Sequence, residues 1–459
     1  MTISRSILHA FHPRWVFTSP VLLLTISLLF FFCGQKSVLA QNDDHRNKPN
    51  NEGKEKKTPE GEDSNFWKRA LRRAFQQYKV NLFDRPYRLN ALPIVYLTPR
   101  TGVNLGFYTK LRSRGPAQNE YDIILQIIAS TLGSHNHKIV FKYPEINQSN
   151  FGFFLQAAWR RDLETRYFGI GNNSLNEENL TDPKSPDFVH EEFYIYNLKR
   201  PRLTLYGTYR LLPNIQFWYG FGLHNVEPQF KHGVEKSFLA SDKPFGYLGG
   251  SGNHLSFRLS WDTRSESVFP LSGFLTEVTF EPNFENVNEI APGENGTEKR
   301  GKEVTFYRYT ISDAHFTSIT NRLIFANRVA FEAIAGQAPY YAFGESAGQR
   351  LTRGLGGSQS LRGYKSRRFQ DKIKFFTLTE LRYKAHRFKI LPQPIDLIII
   401  GFYDSGRVWH RWSEIEFKNF HATFGFGIWL NWNNNLILRM DVGRSREQLD
   451  FYLRFNSAF

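Results

Sequence analysis

The sequence predicts an all-β fold, a transmembrane antiparallel β-barrel of sixteen strands, and three observations predict it. From Leu92 onward, apolar residues recur at every second position along strand-length runs, several long enough for a tilted membrane-spanning strand. The positions between them carry Arg, Asp and Glu as well as Ser and Thr, which suits a polar lumen better than the interior of a soluble sandwich. Aromatic residues make up 16% of the chain, with 43 Phe and 21 Tyr, as girdles at two membrane interfaces require. A mean hydropathy of −0.45 fits the same picture, because only one face of each strand would meet lipid.

The segments in front of the strands read differently. Residues 1–40 have the form of a signal peptide: Arg5 and Arg14 precede a short apolar run from Val21 to Phe32, and Val38-Leu39-Ala40 offers a small-residue cleavage site. That run is too short to span a membrane as a helix, which takes about 20 residues. Cys33 is the only cysteine and lies in this leader behind the bulky Phe32, so the remainder offers no disulfide, thiol chemistry or thiolate metal site. The formal net charge is +16; Arg5, Arg14 and Lys36 belong to the leader, which leaves +13. In a secreted chain the nearest anions are outer-membrane lipids and lipopolysaccharide, so nucleic acid is not expected as a partner. Residues 41–63 read as a disordered polar linker. Residues 64–91 read as a short amphipathic periplasmic segment. In it Trp67, Leu71, Phe75 and Tyr78 share one helical side and Lys68, Arg69, Arg72 and Arg73 the other. Such a helix can lie on a membrane, enter a barrel mouth or act as a solvated spacer.

The barrel is expected over 92–459. Strands are expected at 92–98, 102–111, 121–131, 136–146, 151–161, 191–211, 214–226 and 253–263. The second half follows at 273–281, 303–317, 320–335, 372–386, 394–405, 420–432, 434–444 and 449–459. Splitting 191–211 at Pro201 would give an odd strand number; one strand with a bulge at Pro201 keeps it even. The long connections 162–190, 227–252, 282–302 and 336–371 then share the external side, with the linker and N-terminus periplasmic. Closure pairs 92–98 with 449–459, and the shortness of the former together with Pro93 predicts a weak seam.

Four stretches carry a family resemblance. They are Pro93–Gly106 (PIVYLTPRTGVNLG), Trp261–Gly273 (WDTRSESVFPLSG, with Asp262, Arg264, Pro270 and Gly273), Ala347–Asp371 (AGQRLTRGLGGSQSLRGYKSRRFQD) and Gly401–Trp409 (GFYDSGRVW). In this order the chain resembles the BamA/TamA family of outer-membrane barrels, the bacterial surface antigen superfamily that includes two-partner secretion transporters. The resemblance covers roughly residues 91–459. It implies that the loop before the twelfth strand enters the lumen and docks Arg362, in Arg362-Gly363-Tyr364, on Glu380 and Asp404. It also implies that Phe459 belongs to a recognition signal for barrel assembly. Alternation agrees that Glu380 and Asp404 face inward. Residues 41–91 are too short for the POTRA modules that precede such barrels, so a short member without them is expected.

No enzyme, cofactor or metal is expected. No Ser or Asp stands beside an activating His, His135 and His137 flank a turn without further ligands, and Gly169-Ile170-Gly171 lacks the strand-to-helix context of a phosphate loop. Three functions stay open. One is insertion or translocation of protein or lipid at the outer membrane, with client outer-membrane proteins as partners. Another is a surface antigen or structural subunit bound to another barrel. The third is an anion-leaning pore lined by Arg258, Arg308, Arg322, Arg328, Arg382 and Arg454.

Overall fold

The computed structural model describes residues 78–82, 85–98, 100–113, 120–174, 176–230, 236–293, 296–345, 354–390, 393–432 and 436–455. The expected signal peptide and linker, nearly all of the amphipathic helix, and Phe459 lie outside the described residues.

Across the lipid band, every second residue of the described strands faces outward to lipid, and the pattern is inside-out relative to a soluble protein. On β9 (Gly250–Asp262), Leu255, Phe257, Leu259 and Trp261 are exposed, whereas Ser256, Arg258 and Ser260 between them are buried. Such a strand is stable only with hydrocarbon outside and a polar, hydrogen-bonded lumen inside. Before β9 come β1 (Tyr78–Leu82), β2 (Arg85–Thr98), β3 (Gly102–Ser113) and β4 (Asp122–Ser130). They are followed by β5 (His135–Tyr143), β6 (Phe151–Arg166), β7 (Ile195–Leu212) and β8 (Ile215–Gln229). After β9 come β10 (Gly273–Gly293), β11 (Gly296–Ser318), β12 (Leu323–Gly336) and β13 (Ile373–Ile390). The last four are β14 (Gln393–Trp409), β15 (His421–Trp432), β16 (Leu436–Arg444) and β17 (Leu449–Phe455).

Each strand is antiparallel to the next, from β1–β2 through β16–β17. The sixteen strands β2–β17 form the barrel wall, and β1 adds a short hairpin to the foot of β2. At the seam, Tyr96 on β2 and Arg454 on β17 are both exposed. Among the described residues no ladder closes the sheet between these two strands. One rim carries the short turns and the other the long connections, the latter including two small helices, α1 (Phe238–Asp242) and α2 (Tyr340–Phe343).

Three boundaries differ from the sequence expectation. The sheet begins at Tyr78, inside the segment expected to be amphipathic, because Tyr87 onward pairs with β3 and Pro93 is tolerated opposite Phe107 on an end strand. Pro201 makes no bulge: Trp159 pairs with it in register, and toward β8 the ladder skips Arg200 and Pro201 without slipping. The slips fall at Asp162/Thr165 and Arg210/Leu212 instead. Finally, 282–302 is mostly strand. β10 and β11 stay paired from Gly273↔Phe316 to Gly293↔Gly296, and toward the tip the exposed Glu289 lies 3.6 Å from Lys302 across the ladder.

Candidate functional site

Residues 354–371 leave the long-connection rim and turn back into the lumen. Leu355, Leu361, Tyr364 and Phe369 pack on Ala330, Phe376, Leu378 and Val408, the inward apolar residues of β12, β13 and β14. The isolated pair Leu355↔Phe369 closes the loop on itself, and Gly356 and Gly357 take the positive φ that its tight path demands.

Arg362 at the tip is completely buried, as are Glu380 on β13 and Asp404 on β14. Its Nε and Nη2 donate to the two carboxylate oxygens of Asp404 at 2.8 and 2.7 Å, and its Nη1 donates to Glu380 at 2.7 Å. Its backbone N–H adds a third bond to Asp404 at 3.1 Å, and the guanidinium lies over the Phe402 ring at 3.6 Å. The planar fork thus meets one carboxylate bidentately and a second at its free end, the arrangement that gives arginine its strongest contacts.

The surroundings extend this contact into a charge-balanced cluster. Asp441 on β16 stands 3.7 Å from Arg362, pairs with Arg439 and accepts the Trp429 indole N–H at 2.7 Å. Arg382 pairs with the second oxygen of Glu380 at 2.7 Å and lies over the Trp429 ring at 5.0 Å. Arg362, Arg382 and Arg439 therefore face Glu380, Asp404 and Asp441, all at most 2% exposed. Buried charges survive only when paired in this way.

The tip backbone is clamped by β17 and by the turn that precedes it. Gly363, at φ 108°, donates its N–H to the Tyr452 hydroxyl at 2.9 Å, and its carbonyl accepts from the Ser445 hydroxyl at 2.7 Å. Gly443 lies so close that a Cβ there would stand 2.6 Å from the Arg362 carbonyl carbon. Arg368 reaches Glu447 in the same turn and Ser174 in the connection after β6. Gly169 and Gly171 in that connection both take positive φ, and the Gly171 N–H bonds to Gln370 at 3.0 Å. At the rim, burial pushes the Asp371 carboxyl above its ordinary range, opposed by the Lys372 N–H and the His410 ring.

The Trp261–Gly273 turn closes the opposite end of the lumen. Arg264 forks onto Asp262 at 2.8 Å through both nitrogens, and Gly273 at φ 90° permits a bend in which any Cβ would collide with the Thr263 carbonyl. Pro270 and Phe269 are buried, and Phe269 packs with Ile324, Ile398, Ile400, Phe402, Trp429 and Ile437.

The six arginines expected to line an anion path behave differently. Arg258 lies 3.5 Å from Glu277 and over the Trp218 ring, Arg308 lies 4.0 Å from Glu332, and Arg382 serves Glu380. Arg328 contacts Ser312 and the Phe376 ring. Arg322 does not line the lumen; it is exposed in the turn after β11, because the strand stops at Ser318. Arg454 faces inward opposite Arg439 but is exposed at the seam. The segment around α2 fills more of the lumen: Arg308 donates to the Ala342 carbonyl, Lys374 to Phe343 and Glu345, and Arg202 pairs with Glu345. Sequence reasoning missed Asp441, Arg439, Gly443, Ser445 and Tyr452; the one signal present was the inward parity of Arg439 and Asp441.

No curated protein matches the chain. Among solved structures, BamA from Haemophilus ducreyi lacking POTRA domains 1–3 aligns over 86% of this chain and 77% of its own, at 12% identity and a TM-score of 0.49. CdiB from Escherichia coli aligns over 81% of this chain and 62% of its own, at 10% identity and a TM-score of 0.47. Residues 246–445 match the Omp85 superfamily domain, a span that holds Arg362, both of its carboxylate acceptors and Asp441. Over residues 246–445, less than half of its length, this chain is similar to the Omp85 superfamily domain.

Proposed function

We propose that this barrel inserts or translocates protein or lipid at the outer membrane, without chemistry, through a seam between β2 and β17. The observation that carries the reading is the contrast between that seam and the rest of the wall. Inward residues of the far wall, such as Ser256, Arg308 and Arg439, are buried, most of those on β3–β6 are half-buried, and Tyr96 and Arg454 at the seam are exposed. An unpaired strand end offers backbone hydrogen bonds to an incoming strand, and it weakens the local lipid contact. The linker and N-terminus would be periplasmic, the long connections external, and the buried latch would hold the lumen shut while the seam works. Client outer-membrane proteins and lipids are the partners this reading requires.

A disulfide across the seam tests it. Cysteines paired in turn between 92–98 and 449–455 should crosslink on oxidation in at least one combination, and the locked barrel should fail to support envelope assembly until reduced. Undiminished assembly by the locked form would leave insertion without support. A second reading, a surface antigen or structural subunit, is favoured by the long β10–β11 hairpin, which projects beyond the lipid band. An anion pore is disfavoured by the ion pairs of Arg258, Arg308 and Arg382 and by the filled lumen.

A further inference from the structure

We propose that the outer face of β5–β7, at the long-connection rim, binds the phosphorylated headgroup of a membrane lipid. The proposal rests on this face meeting lipid and is independent of what passes through the barrel. His135 and His137 share the outward side of β5, Trp159 and Arg161 that of β6, and Lys199 that of β7. The ladders place them together: His135 is opposite Arg161, His137 opposite Trp159, and Arg161 opposite Lys199.

The rings form a platform. His135 stacks on His137 at 5.2 Å between centroids and on Trp159 at 6.4 Å, and Trp159 is 53% exposed. The charges above it are of one sign: the groups that act electrostatically on His135 are His137, Arg161 and Lys199, all bases. Neither Arg161 nor Lys199 forms an ion pair among the described residues. The Arg161 guanidinium makes one long contact, to the Gly133 carbonyl at 3.5 Å. The nearest carboxylate in the row, Glu227, is paired with Lys199 in the β7–β8 ladder, but no ion pair joins them among the described residues and Asn225 engages it at 2.6 Å.

Position selects the ligand. Ile139, Leu203 and Leu205, one to three outward positions toward the other rim, are exposed apolar residues of the lipid band. The basic cluster thus stands where hydrocarbon gives way to headgroups, beside an aromatic of the kind that anchors interfaces. Unpaired cations at that level fit a phosphate monoester, which accepts several charge-assisted bonds at once.

The test uses the full chain in detergent, offered lipid A with its phosphates, dephosphorylated lipid A, or phosphatidylcholine, with bound lipid counted by native mass spectrometry. Phosphorylated lipid A should be retained and the other two should not. Arg161→Gln with Lys199→Gln should lower retention about tenfold while the folded-barrel gel shift is unchanged. Inorganic phosphate at equal concentration should not displace the lipid. Equal retention of the dephosphorylated form, full displacement by inorganic phosphate, or a folded double variant that retains as much as the wild type would each overturn the proposal. The wild-type comparison of the two lipid A forms decides even where the variant does not fold. None of these readouts depends on assembly activity, so the seam mechanism and this site can fail separately.

Discussion

Arg362 is held by two carboxylates and a backbone clamp, so its removal leaves Glu380 and Asp404 buried and short of their cation. Breaking a buried pair in this way typically costs about 3–5 kcal/mol. Arg362→Ala should therefore lower the temperature at which the folded band disappears on a gel, and Asp404→Ala should act in the same direction. The double variant should be no worse than the sum, because the uncompensated charges are fewer. Arg362→Lys should recover part of the loss, since an ammonium lacks the fork. Gly443→Ala should mimic Arg362→Ala by pushing the tip backbone away, while Gly401→Ala, whose added methyl meets nothing within 4 Å, should leave the melting profile unchanged. Equal profiles for the two glycine variants would mean that the close approach of Gly443 does not hold the tip. The sequence shows Arg362, Glu380 and Asp404 through a motif and a strand parity. It does not show Asp441 as a neighbour, because parity on β16 says only that its side chain points inward. Which inward side chain meets the tip depends on how far each strand is displaced along its neighbour.

Element existence was legible throughout: all sixteen expected wall strands are present, because lipid on one face and water on the other impose a strict period of two. Their ends were less legible. β10 and β11 run to 21 and 23 residues, about twice the 9–11 that a spanning strand needs. Their outer halves lose the apolar alternation but keep the backbone ladder as far as Gly293↔Gly296. That outer ladder borrows little from the rest of the wall, although β9 pairs with β10 as far as Val287. Shortening the hairpin between 288 and 301 should leave the folded band and its heat resistance intact. Deleting 354–371 should instead destabilise the barrel, because it removes the apolar packing on β12–β14 and uncovers three carboxylates. A fall in heat resistance from the hairpin truncation would show that the outer ladder supports the wall.

At the scale of the whole molecule the lumen is stoppered at both ends and in the middle, by Phe269 and its neighbours, by the latch, and by the segment around α2. The intact barrel should pass little current in a planar bilayer, and Arg362→Ala should raise single-channel conductance; an already open wild type would contradict the filled lumen. How the stoppers share the lumen could not be read from the sequence, since each is a non-local contact between a connection and distant strands. The latch also has a polarity. Its cation rides on the loop, whereas its carboxylates are fixed in the wall, and residues 354–371 carry Arg362, Lys365, Arg367 and Arg368 against Asp371 alone, a net +3. A charge moved through the full field gains about 2.3 kcal/mol per 100 mV. The loop is thus a tethered gating charge that entered from one side. A voltage positive on the short-turn side should press it toward the long-connection rim and the opposite voltage should seat it more firmly, so current through a planar bilayer should depend on the polarity applied.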